Sequence, residues 1–368
     1  MRLKNRSASG IRILKSFQHQ FSIYIDDVVC KMSLVSDITV VIPVFNASAF
    51  LKETLQTVWD QSVLPAEVVL VDDHSTDDSV AVAERLAGES PVAIRLIQTS
   101  RNSGGPATPM NLGVQAARTK YICMLDHDDW MAPTRLEEAL KALSSGNRPA
   151  MVMGNYELVC NGKVVEGCGS MYRFPQIAKV FSDTNTSTAF LDRDNWLGAF
   201  FSESIQCSCS NHFFPKILWD SVGGYREEIG LSSDFDFVLR AFGDGIYWTR
   251  CQSFRKRVHD GNAWQATLEN RALAMRIRED FTNRFCREDD RKIIEERFLE
   301  CLRKEVRWLR WNGYNNASIG SCISAIKKSP RAWIFREITL NCLGLIRQGF
   351  KFYLGKSSPG TRGYASKS

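Results

Sequence analysis

Three carboxylates fall within four residues at Asp126-His127-Asp128-Asp129, directly after the apolar run from Tyr121 to Leu125. Crowded carboxylates repel one another and raise each other's pKa unless a cation sits among them. Hard oxygen ligands on a short loop suit Mg²⁺ or Mn²⁺, above all an ion that also holds a diphosphate. A solvated acidic turn capping the next helix would use the same residue types, so this motif needs support from elsewhere. A second acidic stretch reads Asp72-Asp73-His74-Ser75-Thr76-Asp77-Asp78. Ser75 or Asp77 there can cap the helix that follows, but capping requires neither Asp72 nor Asp73. A carboxylate at a strand end can accept hydrogen bonds from the imide and ribose groups of a nucleoside. A third segment, Asn102-Ser103-Gly104-Gly105-Pro106, offers close backbone approach and free helix-start amides to an anion. It lacks the Gly-x-Gly-x-x-Gly spacing of a nicotinamide site and the Lys-Ser/Thr ending of a P-loop, which argues against a dehydrogenase or a P-loop NTPase.

These segments need a scaffold that brings them together, and the hydrophobic periodicity supplies one. Ile38 to Phe45 is rich in β-branched residues and too short for a helix, so it reads as a buried strand. Residues 48–60 follow with Phe50, Leu51, Leu55 and Val58 at helical spacing and Ser48 as the expected N-cap. Strands are expected at 67–72, 92–97 and 120–125, and helices at 78–86 and 106–117. Regular β-α-β-α alternation implies an α/β fold, a mainly parallel sheet with helices on both faces. Ligands of such sheets bind beyond the carboxyl ends of the strands. The segments 43–46, 72–78 and 126–129 all lie there.

The set resembles the family 2 glycosyltransferases with the GT-A fold, over roughly residues 37–262, about three-fifths of the chain. Pro43-Val44-Phe45-Asn46 is similar to that family's Pro-Val-Tyr-Asn strand end, and Asp72 to Asp77 to its Asp-Asp-Gly-Ser-Thr-Asp turn. Asn102 to Gly113 resembles its Asn-x-Gly-Gly-Pro-x-x-x-Arg-Asn-x-Gly segment, and Asp126-His127-Asp128-Asp129 its metal-binding Asp-x-Asp. Gly223-Gly224-Tyr225 followed by Ser233-Asp234-Phe235-Asp236-Phe237 resembles its Gly-Gly-Phe and Glu-Asp-Tyr-Asp-Leu pair. Each motif alone is loose; five in order are specific.

The resemblance implies transfer of a sugar from a nucleoside-diphosphate sugar, with inversion, to a hydroxyl of a glycan or lipid-linked acceptor. By it, Pro43, Phe45, Asn46, Asp72, Asp73, Asn102, Gly104, Gly105 and Asp126 would bind the nucleotide. Phe45 would lie against the base and Asp72 or Asp73 would hydrogen-bond it. Asp128, with Asp126 or Asp129, would hold Mg²⁺ or Mn²⁺, and His259 would approach the metal or diphosphate. For His259 a loop histidine bonded to neighbouring backbone is the equal alternative. Asp234 would be the general base, since an attacking hydroxyl must lose its proton and one positioned carboxylate suffices. Asp236 is expected to be a structural or capping acid. Three departures stand out. Met110 replaces a usual Arg, Ser233 replaces a common Glu, and His74 replaces a turn glycine, which predicts a less strained turn. The first two keep a catalytically weak or inactive sugar-nucleotide-binding protein as the alternative. A nucleotidyltransferase of related fold would want a Gly-rich Arg/Lys loop where Asn46-Ala47-Ser48 stands.

Composition bounds the rest. Eleven cysteines without a regular framework favour reduced thiols and a cytoplasmic setting. Cys207-x-Cys209-x-x-His212 is a weak zinc signal, and buried thiols on the acceptor side are expected instead. No apolar run is long enough to cross a bilayer, and no nucleic-acid recognition motif occurs. The expected divisions are a basic extension over 1–36, the GT-A domain over 37–262, helices over 263–326 and a basic amphipathic tail over 327–368. Met32 is an alternative start. Residues 1–36 carry six Lys/Arg against two acids and residues 327–368 nine against one; subtracting these from +6 leaves −6 for 37–326. Aromatics interleaved with Arg336, Arg347 and Lys351 give the tail the pattern of a helix on an anionic membrane. Peripheral attachment to the inner face of the plasma membrane is one expectation, and a tail helix packed on the preceding helices with a solvated basic edge is the alternative. Ile294, Phe298, Leu302, Val306 and Leu309 form a helical stripe read as core packing.

Overall fold

The computed structural model describes residues 36–322, apart from 147, 166–168, 183–185, 263–266, 315 and 320, together with 337–338. The expectations for the N-terminal extension, the Met32 start and all but two residues of the tail lie outside that range. The first half of the chain alternates as its periodicity requires: β1 (Ile38–Val44), α1 (Leu51–Trp59), β2 (Glu67–Asp72), α2 (Ser79–Glu89), β3 (Ala93–Gln98), α3 (Ala107–Ala116) and β4 (Tyr121–Met124). Short β5 (Trp130–Met131) and α4 (Arg135–Ser145) follow, then β6 (Val152–Cys160), β7 (Lys163–Val164), α5 (Ser170–Arg173), α6 (Pro175–Val180), β8 (Thr188–Asp192) and α7 (Arg193–Ser202). The last elements are β9 (Phe213–Pro215), α8 (Lys216–Val222), α9 (Ser233–Ala241), the long β10 (Gly245–Val258), α10 (Leu268–Asp280) and α11 (Arg291–Trp311).

The sheet runs β3-β2-β1-β4-β9-β6-β10-β5, with β7 on β6 and β8 on β10. β3, β2, β1 and β4 are parallel, whereas β9 is antiparallel to both β4 and β6. Every residue of β1 and β2 is buried, because helices cover both faces of the parallel half. β1 pairs with β4 only as far as Val41 opposite Met124, yet continues beside β2 to Val44 opposite Asp72. Pro43, which brings no ladder N–H, lies beyond the last β1–β4 pair. Its carbonyl instead faces His127 Nδ1 at 3.0 Å. The parting of β1 and β4 thus begins where the acidic loop begins.

The helix expected from residue 48 starts at Leu51, and Ser48 is not its cap. The carbonyl of Ala47 closes the first turn by accepting from the amides of Phe50 and Leu51, while the Ser48 amide donates to Asp77. α3 packs so tightly on β1 that a Cβ on Gly113 would lie 2.3 Å from Val41 Cγ1.

Two compact units divide the described chain. One combines residues up to Arg193 with Gln206–Asn262; the other combines Asp194–Ile205 with the helices after Ala263. Most of α7 therefore belongs with the C-terminal helices, which the sequence did not indicate. Within that second unit Arg278 of α10 donates to the carbonyls of Phe201 and Ser202. The stripe of α11 (Ile294, Phe298, Leu302, Val306, Leu309) is buried as expected. Among the described residues no helix is long and apolar enough to cross a membrane.

Gly113→Ala is expected to lower stability by about 1–3 kcal/mol through overpacking, seen as a lower denaturation midpoint. Gly88→Ala in α2, where a Cβ meets nothing within 4 Å, should be neutral or gain up to about 1 kcal/mol of helix propensity. Equal midpoints for both variants would refute the close-packing account.

Candidate active site

Because β2, β1 and β4 are neighbours, their carboxyl ends bring Asp72, Phe45 and Asp126 to one edge of the sheet. The three segments do not play equal parts. Asp73 is buried and fully engaged: its carboxylate accepts from the Ser103 amide and hydroxyl and from Thr99 Oγ1. Asn102 is also spent locally, donating to the Asp73 carbonyl and accepting from the Gly104 amide. These residues fasten the glycine loop, whose Gly104 takes φ +82°, to the end of β2. Asp72 differs. Its Oδ2 accepts from the Ser75 amide at 3.2 Å, but its buried Oδ1 has no protein partner. A buried carboxylate oxygen without a donor is costly, and a ligand N–H would satisfy it. Phe45, just past the end of the neighbouring β1, stands 43% exposed.

Asn46, at φ +49°, ties the two turns together: its amide donates to Ser75 Oγ and its Oδ1 accepts from the Thr76 amide. His74 lies at φ +60°. The expectation of a less strained turn was wrong: this backbone keeps the left-handed geometry that suits glycine, and a Cβ-bearing residue bears the cost.

Beyond β4, ligand atoms of Asp126, Asp128 and Asp129 lie within 4.8 Å of one another. Asp129 is completely buried; Oδ2 accepts from Ser210 Oγ at 2.7 Å and Oδ1 from the Arg257 amide at 3.0 Å. Burial pushes its pKa up, with the charges of Asp128 and Asp126 adding and Lys256 pulling the other way. Asp126 accepts from the Cys209 thiol at 2.9 Å and has the Lys256 ammonium 3.7 Å from Oδ2. Burial acts to raise its pKa, but Lys256 and the thiol outweigh it and hold the group below the usual carboxylate range. Asp128 Oδ2 faces His259 Nε2 at 3.0 Å and accepts from Asn262 Nδ2 at 3.2 Å, leaving Oδ1 without a protein donor among the described residues.

Arg257 locks this loop from the opposite side of β10. Its Nε donates to the Asp128 carbonyl, its Nη2 pairs with Glu53 at 2.7 Å, and its guanidinium lies 3.8 Å from the centre of the Trp130 ring. The sequence assigned no role to Lys256 or Arg257. Both belong to a basic run, Arg255-Lys256-Arg257, just ahead of His259 in an otherwise acidic body. The zinc signal dissolves: His212 is buried, its Nδ1 is 3.1 Å from Tyr225 Oη, and burial lowers its pKa to about 3. Among the described residues the aspartate trio is the only His/Cys/Asp/Glu group that could hold a metal.

Asp234 and Asp236 lie in the first turn of α9 and separate as helical geometry demands. Asp236 is buried, ion-paired with Arg226 and with Arg240 at 2.8 Å. Asp234 is half-buried; its Oδ1 accepts from the Phe235 amide, and among the described residues it has no ion-pair partner. Burial first, and the charge of Asp126 next among the raising effects, push its pKa up to about 7. Cys207, at φ +72°, is a neutral thiol pushed up to about 12 chiefly by burial, and it feels the charges of both Lys256 and Asp234.

With this geometry in view, relatives are informative. Residues 39–193 match the family described as Glycosyl transferase family 2. A glycosyltransferase of Haemophilus influenzae is 34% identical over 119 residues, covering 32% of this chain and 46% of that protein. The chondroitin synthase of Pasteurella multocida is 26% identical over 206 residues, 55% of this chain but 18% of that protein. The chain thus spans less than half the length of either relative. The crystal structure of S. aureus TarS 1-349 in complex with UDP-GlcNAc superposes with a TM-score of 0.61 at 16% identity, covering 88% of this chain and 93% of that one. The fold is therefore of the GT-A type. Residues 39–193 thus match glycosyl transferase family 2, and that stretch carries an Asp-x-Asp-like cluster at Asp126, Asp128 and Asp129.

The two acids of α9 should respond oppositely in stability measurements. Asp236→Asn should cost of order 3 kcal/mol by removing charge from a buried ion-paired network. The folded-state pKa of Asp234 lies above its unfolded 3.8, so the folded state binds more protons and this group erodes stability as pH rises from about 4 through 7. Asp234→Asn should accordingly raise the melting temperature at pH 8 and alter it little at pH 4. Destabilisation of Asp234→Asn at pH 8 would contradict the assignment.

Proposed function

We propose that this protein is an inverting, metal-dependent glycosyltransferase that moves a sugar from a nucleoside-diphosphate donor to an acceptor hydroxyl. One observation carries the reading. A buried carboxylate oxygen lacking a donor (Asp72 Oδ1) and a three-carboxylate cluster lie at the ends of strands two places apart in the parallel half of the sheet, with the exposed Phe45 just past the end of the strand between. A base, a ribose and a diphosphate must be gripped in that order along a sheet edge, and these are the groups each would need.

In this reading the Phe45 ring carries the base and Asp72 Oδ1 accepts from a base N–H. Asp73, Asn46 and Asn102 act one step back by holding the turns. The residues fit Mg²⁺ or Mn²⁺: oxygen donors converge, and their mutual repulsion is only partly offset by the ammonium of Lys256. Asp128, with an oxygen free, and Asp126 are the proposed ligands; Asp129 anchors the loop. When bound, the ion neutralises charge growing on the leaving diphosphate. Asp234 takes the acceptor proton as the acceptor oxygen forms its bond to the anomeric carbon and the bond to the donor phosphate oxygen breaks. The nucleoside diphosphate departs with that electron pair. One base and one in-line step invert the anomeric centre, unlike hydrolases that flank the bond with two carboxylates. His259 either joins the ligand set or orients Asp128 through the contact at 3.0 Å.

The bound UDP-GlcNAc of the TarS structure supports a nucleotide-sugar donor here, and the acceptor is proposed to be a glycan or a lipid-linked glycan. Attachment to an anionic membrane surface on the cytoplasmic side rests on the composition of residues 327–368. The alternative of a weak or inactive sugar-nucleotide-binding protein draws on Ser233, whose buried Oγ has no partner where an acid is usual. Turnover of donor by the purified protein decides between them.

Asp128→Asn should lose most Mn²⁺-dependent donor affinity in calorimetry, because an amide brings no charge to the ion. Unchanged affinity would remove Asp128 from the ligand set. Asp234→Asn should keep donor affinity but lower turnover by roughly 10²–10⁴-fold. Since only the ionised carboxylate accepts a proton and its pKa is about 7, wild-type turnover should climb through neutral pH and level off above it. The variant should lack that limb. A retained limb would place the base elsewhere.

A further inference from the structure

We propose that Lys256 acts as an internal counter-cation that makes divalent-ion binding conditional on the diphosphate. This rests on the metal-dependent reading above and adds to it a residue the reaction itself does not require. Its ammonium lies 3.7 Å from Asp126 Oδ2 and 3.9 Å from Asp129 Oδ2. Both separations exceed hydrogen-bond length, so the lysine places charge beside the cluster without occupying the oxygens that would coordinate an ion. Its side chain is 23% exposed, and water screens it only in part.

The other cations nearby are committed elsewhere. Arg257 directs its guanidinium to the Asp128 carbonyl and to Glu53, on the far side of the loop. Adjacent residues of a strand point to opposite faces, so Lys256 faces the carboxylates while Arg257 braces their backbone. The helix position where a donor-side arginine was expected is Met110, fully buried. Among the described residues Lys256 is the only ammonium or guanidinium within 4 Å of the trio's carboxylates.

The carboxylates outnumber the ammonium, so the empty cluster keeps a net negative charge. A divalent ion entering alone meets the repulsion of an immobile cation. An ion arriving with a diphosphate meets that cation as an attraction, because the phosphates outweigh it. The lysine therefore weakens metal binding to the empty protein and strengthens it in the loaded one. That difference in affinity between two states is what couples two ligands.

The test is Mn²⁺ titration followed by the electron paramagnetic resonance of the free ion, with and without inorganic pyrophosphate, on the full chain. For the wild type, pyrophosphate should tighten Mn²⁺ binding beyond what the two form in solution. Lys256→Met should bind Mn²⁺ alone about tenfold tighter or more, as expected for removing a unit charge a few ångströms away. It should also lose most of the pyrophosphate enhancement, and Lys256→Arg should retain the wild-type pattern. Lys256→Gln gives the same comparison should the methionine variant not fold. Mn²⁺ affinity in the folded, charge-free variant that equals or falls below wild type overturns the proposal while leaving the metal site standing. Mn²⁺ binding that Asp128→Asn does not weaken overturns the underlying metal reading, and this inference with it.

Discussion

Like charge held at close range is the constraint around which this site is built. Ligand oxygens of three aspartates lie within 4.8 Å of one another in a half-buried loop, where repulsion is strong because water is scarce. The fold answers with unequal treatment. Asp129 is hydrogen-bonded on both oxygens and buried, Asp126 lies beside an ammonium and a thiol donor, and Asp128 keeps an oxygen free. The supports come from segments distant in sequence: Ser210 and Cys209 from the turn before β9, Lys256 and Arg257 from β10. Sheet order explains why those segments arrive here. β9 pairs with β4, and β10 reaches the loop through its antiparallel pairing with β5, where Arg255 faces Trp130.

The parallel half was legible because its signals are local. β-branched runs between amphipathic stretches specify buried strands and covering helices, so β2 matches its expected bounds and the other three parallel strands lie within a residue or two of theirs. Helix ends are less exact: α1 starts at Leu51 rather than at residue 48, α2 runs to Glu89 rather than Leu86, and Ser48, whose amide donates to Asp77, is not the cap of α1. The other half was hidden for physical reasons. β9 is three residues long, and β10 carries fourteen residues with register shifts against β6 between Thr249 and Phe254. Neither length nor alternation identifies such elements. The allocation of α7 to the C-terminal helices was equally invisible, because it depends on hydrogen bonds from Arg278 some 76 positions away.

The site followed the same rule. Spacing found the acids but could not rank them, since Asp72 and Asp73 are adjacent and chemically identical. The structure separates them by counting donors: three bonds tie Asp73 to residues 99–103, while one oxygen of Asp72 has none. His74 teaches the converse. A non-glycine residue in a turn suggested relaxed backbone, but the neighbours on either side, each bonded across to Asn46 or the β1 end, demand φ near +60° whatever side chain is present.

Asp234 and Asp236 show how one helix turn produces two carboxylates of opposite character. At the first turn of α9 two positions differ by about 200° around the axis, so one side chain points into the arginine pair and the other away from it. Asp236 gains full compensation from Arg226 and Arg240, and with it the helix is fastened to the loop that carries Tyr225. Asp234, relieved of structural duty, is left with burial and the nearby charge of Asp126, and both favour the protonated form. The charge of Lys256 pulls the other way, and it serves the acid trio as well. The lysine therefore connects the two halves of the proposed chemistry. A change in how strongly it is drawn to the trio, as when a cation joins them, alters the electrostatic environment of Asp234 without any movement of α9.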